Sequence, residues 1–179
     1  MKETILINND MFDKMIHRLS NEILESFDDY KNLALIGIKT RGEFLARRIS
    51  EHINKINSID LPLGVIDITF HRDDFSDKLI MPKLGPSSIP FDINEKEIIL
   101  IDDVLYTGRT IRAAMEEIFS LGRPNKIQLG VLIDRGHREL PIKANYVGKN
   151  YPTSFNEHIH VYLNEVDNNE NVELVEYDE

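Results

Sequence analysis

Ile98-Ile99-Leu100-Ile101-Asp102-Asp103-Val104-Leu105-Tyr106-Thr107-Gly108-Arg109-Thr110 is the stretch whose reading decides the fold. Four apolar, mostly β-branched residues, Ile98 to Ile101, read as a buried strand of a parallel sheet. Two carboxylates, Asp102 and Asp103, follow at its carboxyl end. A short loop with Thr107, Gly108 and Thr110 comes next, and there a helix begins. In open α/β sheets, ligands bind in the crevice outside the carboxyl ends of the strands. Free N–H groups at a helix start attract anions, so the loop suits a phosphate. The acidic pair repels that phosphate and must face hydroxyls or a metal. A ribose 5-phosphate, with a phosphate at one end and a diol at the other, satisfies both halves. A strand, an acidic turn and a capping Thr with no ligand is the alternative.

Outward from this stretch, strand and helix patterns alternate. Residues 10–27 carry apolar side chains at helical spacing, with Asp10 in N-cap position. Leu33 to Ile38 reads as a buried strand, Gly42 to Ile53 as a helix and Gly64 to Phe70 as an alternating strand. Residues 73–90 hold prolines, a glycine, serines and no sustained period, which predicts a long flexible loop. A helix over Thr110 to Leu121 and a strand over Ile127 to Ile133 follow, then short strands around Val147 and at Ile159 to Leu163. The expected architecture is α/β, one domain over residues 1–179, with a parallel twisted sheet and helices on both faces.

Composition sets bounds. A chain of 179 residues is long enough for one sizeable core. With no cysteine, disulfides, thiolate metal sites and cysteine nucleophiles are excluded. No apolar run approaches the ~20 residues of a membrane span, and the first residues lack a signal-peptide pattern. A cytoplasmic location without membrane partners is the expectation. The net charge is −10, and residues 165–179 hold acids and no Lys or Arg. Such a tail predicts a solvated edge or frayed end. Overall acidity argues against non-specific nucleic-acid binding but leaves room for a local basic face.

Three further segments carry chemistry. Gly37-Ile38-Lys39-Thr40-Arg41-Gly42 ends the first strand and leads straight into a helix, a second strand–loop–helix anion site with two bases. A pyrophosphate would use all of it; a capped surface turn with exposed bases is the alternative. Asp67-Ile68-Thr69-Phe70-His71-Arg72-Asp73-Asp74 enters the long loop. A lid there would keep water from an oxocarbenium-like transition state, and Arg72 would neutralise a departing pyrophosphate. A solvated hairpin end is the rival reading. Asp134-Arg135-Gly136-His137-Arg138 follows another strand. Asp134 is placed to hold Mg²⁺ directly or through water. His137 has no second ligand at zinc spacing. Arg135, His137 and Arg138 are phosphate binders or a basic surface turn.

The stretch from Ile98 to Thr110 resembles the phosphoribosyl pyrophosphate (PRPP) motif of type I phosphoribosyltransferases. Beyond it, Gly122-Arg123-Pro124, Asp134-Arg135-Gly136-His137-Arg138-Glu139-Leu140-Pro141, Tyr146-Val147-Gly148-Lys149-Asn150 and Pro152-Thr153-Ser154 occur in order. With them the chain resembles the bifunctional pyrimidine operon attenuation regulator / uracil phosphoribosyltransferase family. The likeness runs from about residue 5 to the C-terminus. The segment Asp134 to Pro141 is its most specific part and argues against a purine phosphoribosyltransferase.

The resemblance implies a type I phosphoribosyltransferase fold with a small hood. It implies two activities: making UMP and pyrophosphate from uracil and PRPP with Mg²⁺, and gripping a pyrimidine operon leader RNA once UMP or UTP is bound. A pocket used mainly as a UMP/UTP sensor is the alternative. Asp102 and Asp103 would hold the ribose hydroxyls and, with Arg72, serve catalysis. Val104, Leu105, Tyr106, Thr107, Gly108, Arg109 and Thr110 would hold the 5-phosphate. Lys39, Thr40, Arg41 and Gly42, with Arg135, would hold pyrophosphate. Tyr146, Val147 and Gly148 would form the hood over uracil; core packing is the other reading of the first two. Arg18, Thr40, His137, Arg138, Lys143 and Lys149 would face RNA on a homodimer or higher homo-oligomer. The first helix, around Asp13-Lys14-Met15-Ile16-His17-Arg18, is less basic than the family pattern. This favours the enzymatic reading over the regulatory one. No residue stands out as a general base.

Overall fold

The apolar runs fold into one central sheet. The computed structural model describes residues 2–68 and 87–177. In chain order the elements are β1 (Lys2–Ile7), α1 (Asn9–Glu25), β2 (Leu33–Ile38), α2 (Arg41–Asn57), β3 (Leu63–Ile66) and β4 (Glu97–Leu105). They continue as α3 (Arg109–Leu121), β5 (Lys126–Asp134), β6 (Tyr146–Asn150), β7 (Glu157–Tyr162), α4 (Asn164–Asp167) and β8 (Asn171–Glu176). Five strands in the order β3-β2-β4-β5-β6 form a wholly parallel sheet. β2 is buried along its whole length, as its unbroken apolar sequence demands. Side chains alternate between two cores: Leu35, Ile99 and Ile101 face α1 and α2, while Ile36, Ile98 and Leu100 face α3. Each fully buried Ile or Leu in these layers contributes roughly 1.5–3 kcal/mol.

Several boundaries differ from expectation. β4 does not stop at Ile101; it runs on through the acidic pair to Leu105, with Asp102 opposite Val131 and Leu105 opposite Asp134. The backbone ladder to β5 is indifferent to the change in side-chain polarity. The cap of α1 is Asn8, whose side chain accepts from the Met11 N–H at 3.0 Å; Asp10 lies inside the first turn. β3 ends at Ile66, short of the expected Phe70. Most of the long loop, with Thr69, His71, Arg72, Asp73 and Asp74, lies outside the described residues. Its exit returns to β3, where Ser88 bridges Val65 and the Ser87 hydroxyl accepts from the Asp67 N–H at 3.1 Å.

As far as Glu176 the acidic C-terminal stretch is not a frayed end. β8 is the middle strand of a small antiparallel sheet, β1-β8-β7, built from both ends of the chain. Val172 and Val175 are buried in it. Glu165 and Glu170 are held by Arg48 of α2, with N···O distances of 2.8 and 2.7 Å. Those pairs keep the Glu165 carboxyl below the usual carboxylate range, chiefly through the hydrogen bond from Arg48. No helix among the described residues is long and apolar enough to cross a membrane.

Candidate active site

β2, β4 and β5 are parallel neighbours in the sheet, so their carboxyl ends lie side by side at the edge where ligands of open α/β sheets bind. Loops from β2 and β4 each lead into a helix there, which aims N–H groups at the same space. Close approach of α2 to the sheet depends on missing side chains. A Cβ on Gly42 would collide with the Ile101 carbonyl oxygen, and one on Gly37 would lie 2.5 Å from the Gly42 carbonyl oxygen. The expected phosphate-site Gly42 is therefore also the joint that seats α2 on β4 beside Asp102. At the second loop, Gly108 has φ +94° and caps α3. An L side chain is strained in that conformation. The Thr107 hydroxyl accepts from the Arg109 N–H at 3.3 Å, and the Thr107 carbonyl accepts from the Glu139 N–H at 3.0 Å. Val104 and Leu105 belong to β4 itself, Tyr106 and Thr110 are half-buried, and Arg109 pairs with Glu139 at 2.6 Å.

Asp102 is buried and Asp103 half-buried. Each carboxylate accepts from the next N–H in the chain: Asp103 N–H at 3.0 Å from Asp102 Oδ1, Val104 N–H at 2.8 Å from Asp103 Oδ1. Loss of water around the Asp103 carboxyl pushes it above the ordinary aspartate range, against the opposing pull of the Val104 N–H and the Arg41 charge. A desolvated carboxylate of this kind draws hydroxyl donors and positive charge strongly.

The cationic side of the crevice comes from β2 and α2. The Lys39–Thr40 peptide is cis. Lys39 stands 3.7 Å from the Asp67 carboxylate. Thr40 is exposed and sits at the N-cap of α2 without a side-chain capping bond. Arg41 Nη2 donates to Asp167 Oδ1 of α4 at 2.8 Å, while its buried Nε has no hydrogen-bond partner among the described residues. Asp167 carried no signal in the sequence, since it lies 126 positions away in what read as an acidic tail.

The segment from Asp134 to Leu140 corrects three expectations. Asp134 spends both carboxylate oxygens on its own loop, accepting from the Gly136 N–H at 3.0 Å and from Arg138 Nη2. A carboxylate already neutralised by a guanidinium is a poor Mg²⁺ ligand, so the assignment of Asp134 to metal falls. Arg138 also donates to the carbonyls of Leu105, Tyr106, Gly136 and Ile142 at 2.7–3.3 Å. It is an internal brace of the phosphate loop rather than an RNA-facing base. Arg135 is buried beneath the loop that follows β6: Nε donates to the Thr153 hydroxyl at 3.0 Å and Nη2 to the Glu157 carbonyl at 2.5 Å. Its guanidinium lies 4.1 Å from the Tyr106 ring centroid. Burial lowers its pKa. These bonds make it a strut between the two loops, in place of the expected pyrophosphate contact.

His137 takes φ +58°, and its Nε2 meets the Thr153 carbonyl at 2.5 Å. Its ring lies 4.4 Å from that of Phe155, which is largely exposed. Tyr146 is buried, as the packing alternative required, while Val147 and Gly148 are half-buried. All three lie in β6, an edge strand of the main sheet. Arg18, exposed on α1, reaches their carbonyls: Nη2 donates to Val147 at 3.0 Å and to Gly148. Lys143 is exposed, and Lys149 lies 5.9 Å from the Tyr151 ring centroid.

With that geometry in view, the comparisons with known proteins are decisive. The phosphoribosyl transferase domain family matches residues 3–165. Bifunctional protein PyrR of Listeria monocytogenes serotype 4b is 51% identical over 181 residues, covering 99% of both chains. The same-named protein of Caldicellulosiruptor bescii is 55% identical over 161 residues, covering 90% of this chain and 88% of its own. A hypoxanthine-guanine phosphoribosyltransferase of Bacillus anthracis superposes with TM-score 0.72 at 19% identity over 96% of this chain and 98% of its own. A hypoxanthine phosphoribosyltransferase of Staphylococcus aureus gives TM-score 0.70 at 20% identity over 97% and 92%. The structural likenesses speak for the fold alone. An acidic pair on the central strand, two helix-starting loops around it and half-identity along the whole chain lead to one conclusion: this chain belongs to the phosphoribosyltransferases, in the bifunctional pyrimidine operon regulator / uracil phosphoribosyltransferase family of PyrR.

Proposed function

We propose that this chain makes UMP and pyrophosphate from uracil and PRPP. The observation that carries the reading is the seat of Asp102 and Asp103 on β4, immediately before the Thr107–Thr110 loop and against the start of α2. The loop at α3 anchors the 5-phosphate through backbone N–H groups and the Thr107 and Thr110 hydroxyls. Lys39 and Arg41, with the amides at the start of α2, hold the pyrophosphate. As the C1–O bond breaks, positive charge grows on the ribose ring. Asp102 and Asp103 beneath the ring offset that charge. Uracil N1 attacks from the opposite face with inversion and gives up its proton to the departing pyrophosphate or to water, and the β6 backbone at Val147 and Gly148 reads the base edge. Arg72 remains the candidate to meet the departing pyrophosphate.

Mg²⁺ fits this donor set. The ion binds through one or two carboxylates plus substrate phosphates and water. Asp102 and Asp103 supply two carboxylates, and among the described residues no cluster of three His, Cys, Asp or Glu offers a dedicated cage. When bound, Mg²⁺ neutralises pyrophosphate charge.

The family assignment supports a second activity, the uridine-nucleotide-dependent binding of a pyrimidine operon leader RNA by a homodimer or higher homo-oligomer in the cytoplasm. Exposed Arg18, Thr40 and Lys143 are the candidates for that face, with His137 and Lys149 beside them. The acidic total still makes the enzymatic reading the firmer of the two.

Turnover tests the proposal directly. The full chain is incubated with PRPP, Mg²⁺ and uracil, and UMP and pyrophosphate are measured. Hypoxanthine and guanine compete in parallel. Formation of IMP or GMP in place of UMP would transfer the reading to a purine base.

A further inference from the structure

Two arginines stand seven residues apart on α2, which puts them two turns apart on one face. Both reach the segment between β7 and β8, and they are treated differently there. Arg48 is saturated: Nε and Nη2 bond Glu165, and Nη1 and Nη2 bond Glu170, all at 2.7–2.9 Å. Arg41 makes one bond to α4, from Nη2 to Asp167 Oδ1, and its Nε is buried without a partner among the described residues. Asp167 is itself locked. Its Oδ2 accepts from the Leu163 N–H at 2.9 Å, and its own N–H donates back to the Leu163 carbonyl at 2.7 Å. The carboxylate cannot follow Arg41 if the guanidinium turns; it fixes the guanidinium plane.

A buried donor without an acceptor is a costly arrangement that a protein keeps for a reason. Arg41 stands at the start of α2, next to Gly42 and the acidic pair, where its charge is felt by Asp103. Among the described residues nothing accepts from Nε, and Nη2 is held by Asp167, while the side chain as a whole is 32% exposed and so open to a ligand oxygen at its outer edge. We propose that Asp167 is a positioning residue for PRPP: anchored by Leu163, it holds the Arg41 guanidinium so that the exposed edge of this side chain, 32% accessible, faces a pyrophosphate oxygen. The β7–β8 connection thereby takes part in substrate binding through one carboxylate, although its ion pairs to Arg48 only fasten it. This rests on the reading of the chain as a PRPP-using enzyme.

The test compares Asp167→Asn with Glu165→Gln in the full chain. Both loosen α4, but Glu165→Gln leaves Arg48 its pair with Glu170 and leaves Arg41 untouched. For Asp167→Asn the KM for PRPP is expected to rise about tenfold, the loss of one charge-assisted bond's worth of orientation. The KM for uracil should stay within about twofold. Glu165→Gln should lower Tm with both KM values within about twofold of wild type. On an Arg41→Lys background, Asp167→Asn should add less than about twofold, because the fork it positions is gone. Should Asp167→Asn fail to fold, Asp167→Glu, which displaces the carboxylate by one methylene, should raise the PRPP KM about threefold.

An unchanged PRPP KM in the folded Asp167 variant overturns the proposal. So does a parallel change in PRPP KM, uracil KM and Tm that Glu165→Gln reproduces. Calorimetric titration with PRPP and Mg²⁺ alone separates the two levels of the argument. Wild type that binds no PRPP brings down the enzymatic reading and this proposal with it. Wild type that binds PRPP beside an Asp167→Asn variant that binds it equally well brings down the proposal alone.

Discussion

Arg18 of α1 and Val147 of β6 are joined by a hydrogen bond of 3.0 Å from the guanidinium to the backbone carbonyl, 129 positions away in sequence. The same nitrogen also donates to the Gly148 carbonyl, and Nη1 meets Glu22 at 3.1 Å. Arg18 read in the sequence as a base for RNA, remote from the reaction. In the structure it holds the strand proposed to read uracil.

Removing that side chain should therefore touch the enzyme. Arg18→Ala is expected to raise the uracil KM several-fold while the PRPP KM stays near wild type, because β6 loses an external brace but the phosphate loops do not. The cost in stability should be about 1–2 kcal/mol, in line with a charged hydrogen bond at a half-exposed site. Steady-state kinetics in both substrates and urea denaturation check it. A uracil KM equal to wild type would detach Arg18 from the base site.

Gly42 makes a different prediction. Gly42→Ala pushes a methyl into the Ile101 carbonyl oxygen, a backbone atom that cannot swing away. Stability should fall by roughly 1–3 kcal/mol, as for other overpacked sites. PRPP binding should fall further than this, since the start of α2 moves off the acidic pair. Gly136→Ala is the comparison: a Cβ there meets nothing within 4 Å, although φ is +82°. It should cost only about 1 kcal/mol of backbone strain. Denaturant midpoints and PRPP titrations of the two variants separate crowding from strain.

Asp103 gives the pH prediction. Its carboxyl is pushed up by burial, so the folded chain binds its proton more tightly than the unfolded one. As pH rises from the ordinary aspartate value of ~3.9 through the raised folded value, the unfolded state releases that proton first and stability falls. The loss then persists at higher pH. Asp103→Asn removes the penalty and keeps an oxygen for the Val104 N–H. Its Tm should exceed wild type at neutral pH, and the gain should vanish below about pH 3. Turnover should fall ~10²-fold or more with the loss of one preorganised charge. A calorimetric scan at several pH values, beside kinetics, reads both. Lower stability at neutral pH would show that the carboxylate is better satisfied than its burial implies.

These cases also show what could be read from sequence. The strands β2, β4 and β5 and the helices beside them were legible because unbroken Ile and Leu runs or helical spacing leave few alternatives. The acidic pair and the Thr107–Thr110 loop were legible because both belong to one contiguous stretch. β8 was not: in Asn171-Val172-Glu173-Leu174-Val175-Glu176 the alternation breaks at Leu174-Val175 within an acidic tail, and one of its partners, β1, is at the other end of the chain. The roles of Arg135, Arg138 and Asp134 were equally hidden. Charge is visible in sequence, but whether a guanidinium meets solvent, a phosphate or four carbonyls depends on loops that close far from it. Asp167 was invisible for the same reason.

Arg138 and Lys143 are five positions apart and both were expected to face RNA, yet the structure separates them. Arg138 is braced against the Leu105, Tyr106, Gly136 and Ile142 carbonyls and the Asp134 carboxylate, whereas Lys143 is exposed. Arg138→Ala leaves Asp134 without its guanidinium and removes one donor from each of four carbonyls, of which Leu105 keeps the Arg135 N–H at 3.1 Å, so stability should fall by about 3–5 kcal/mol. Both the PRPP loop and any RNA face built on this segment should suffer together. Lys143→Glu should leave Tm and both KM values near wild type. If the chain binds its leader RNA, Lys143→Glu should weaken that binding and flatten its salt dependence by about one phosphate contact. The measurement is a titration of wild type and both variants with leader RNA and UMP at two or more salt concentrations, beside an unrelated hairpin. A stable Arg138→Ala with normal kinetics and selectively weakened leader binding would return Arg138 to the RNA face. No preference of wild type for its leader would leave the enzyme as the chain's one activity.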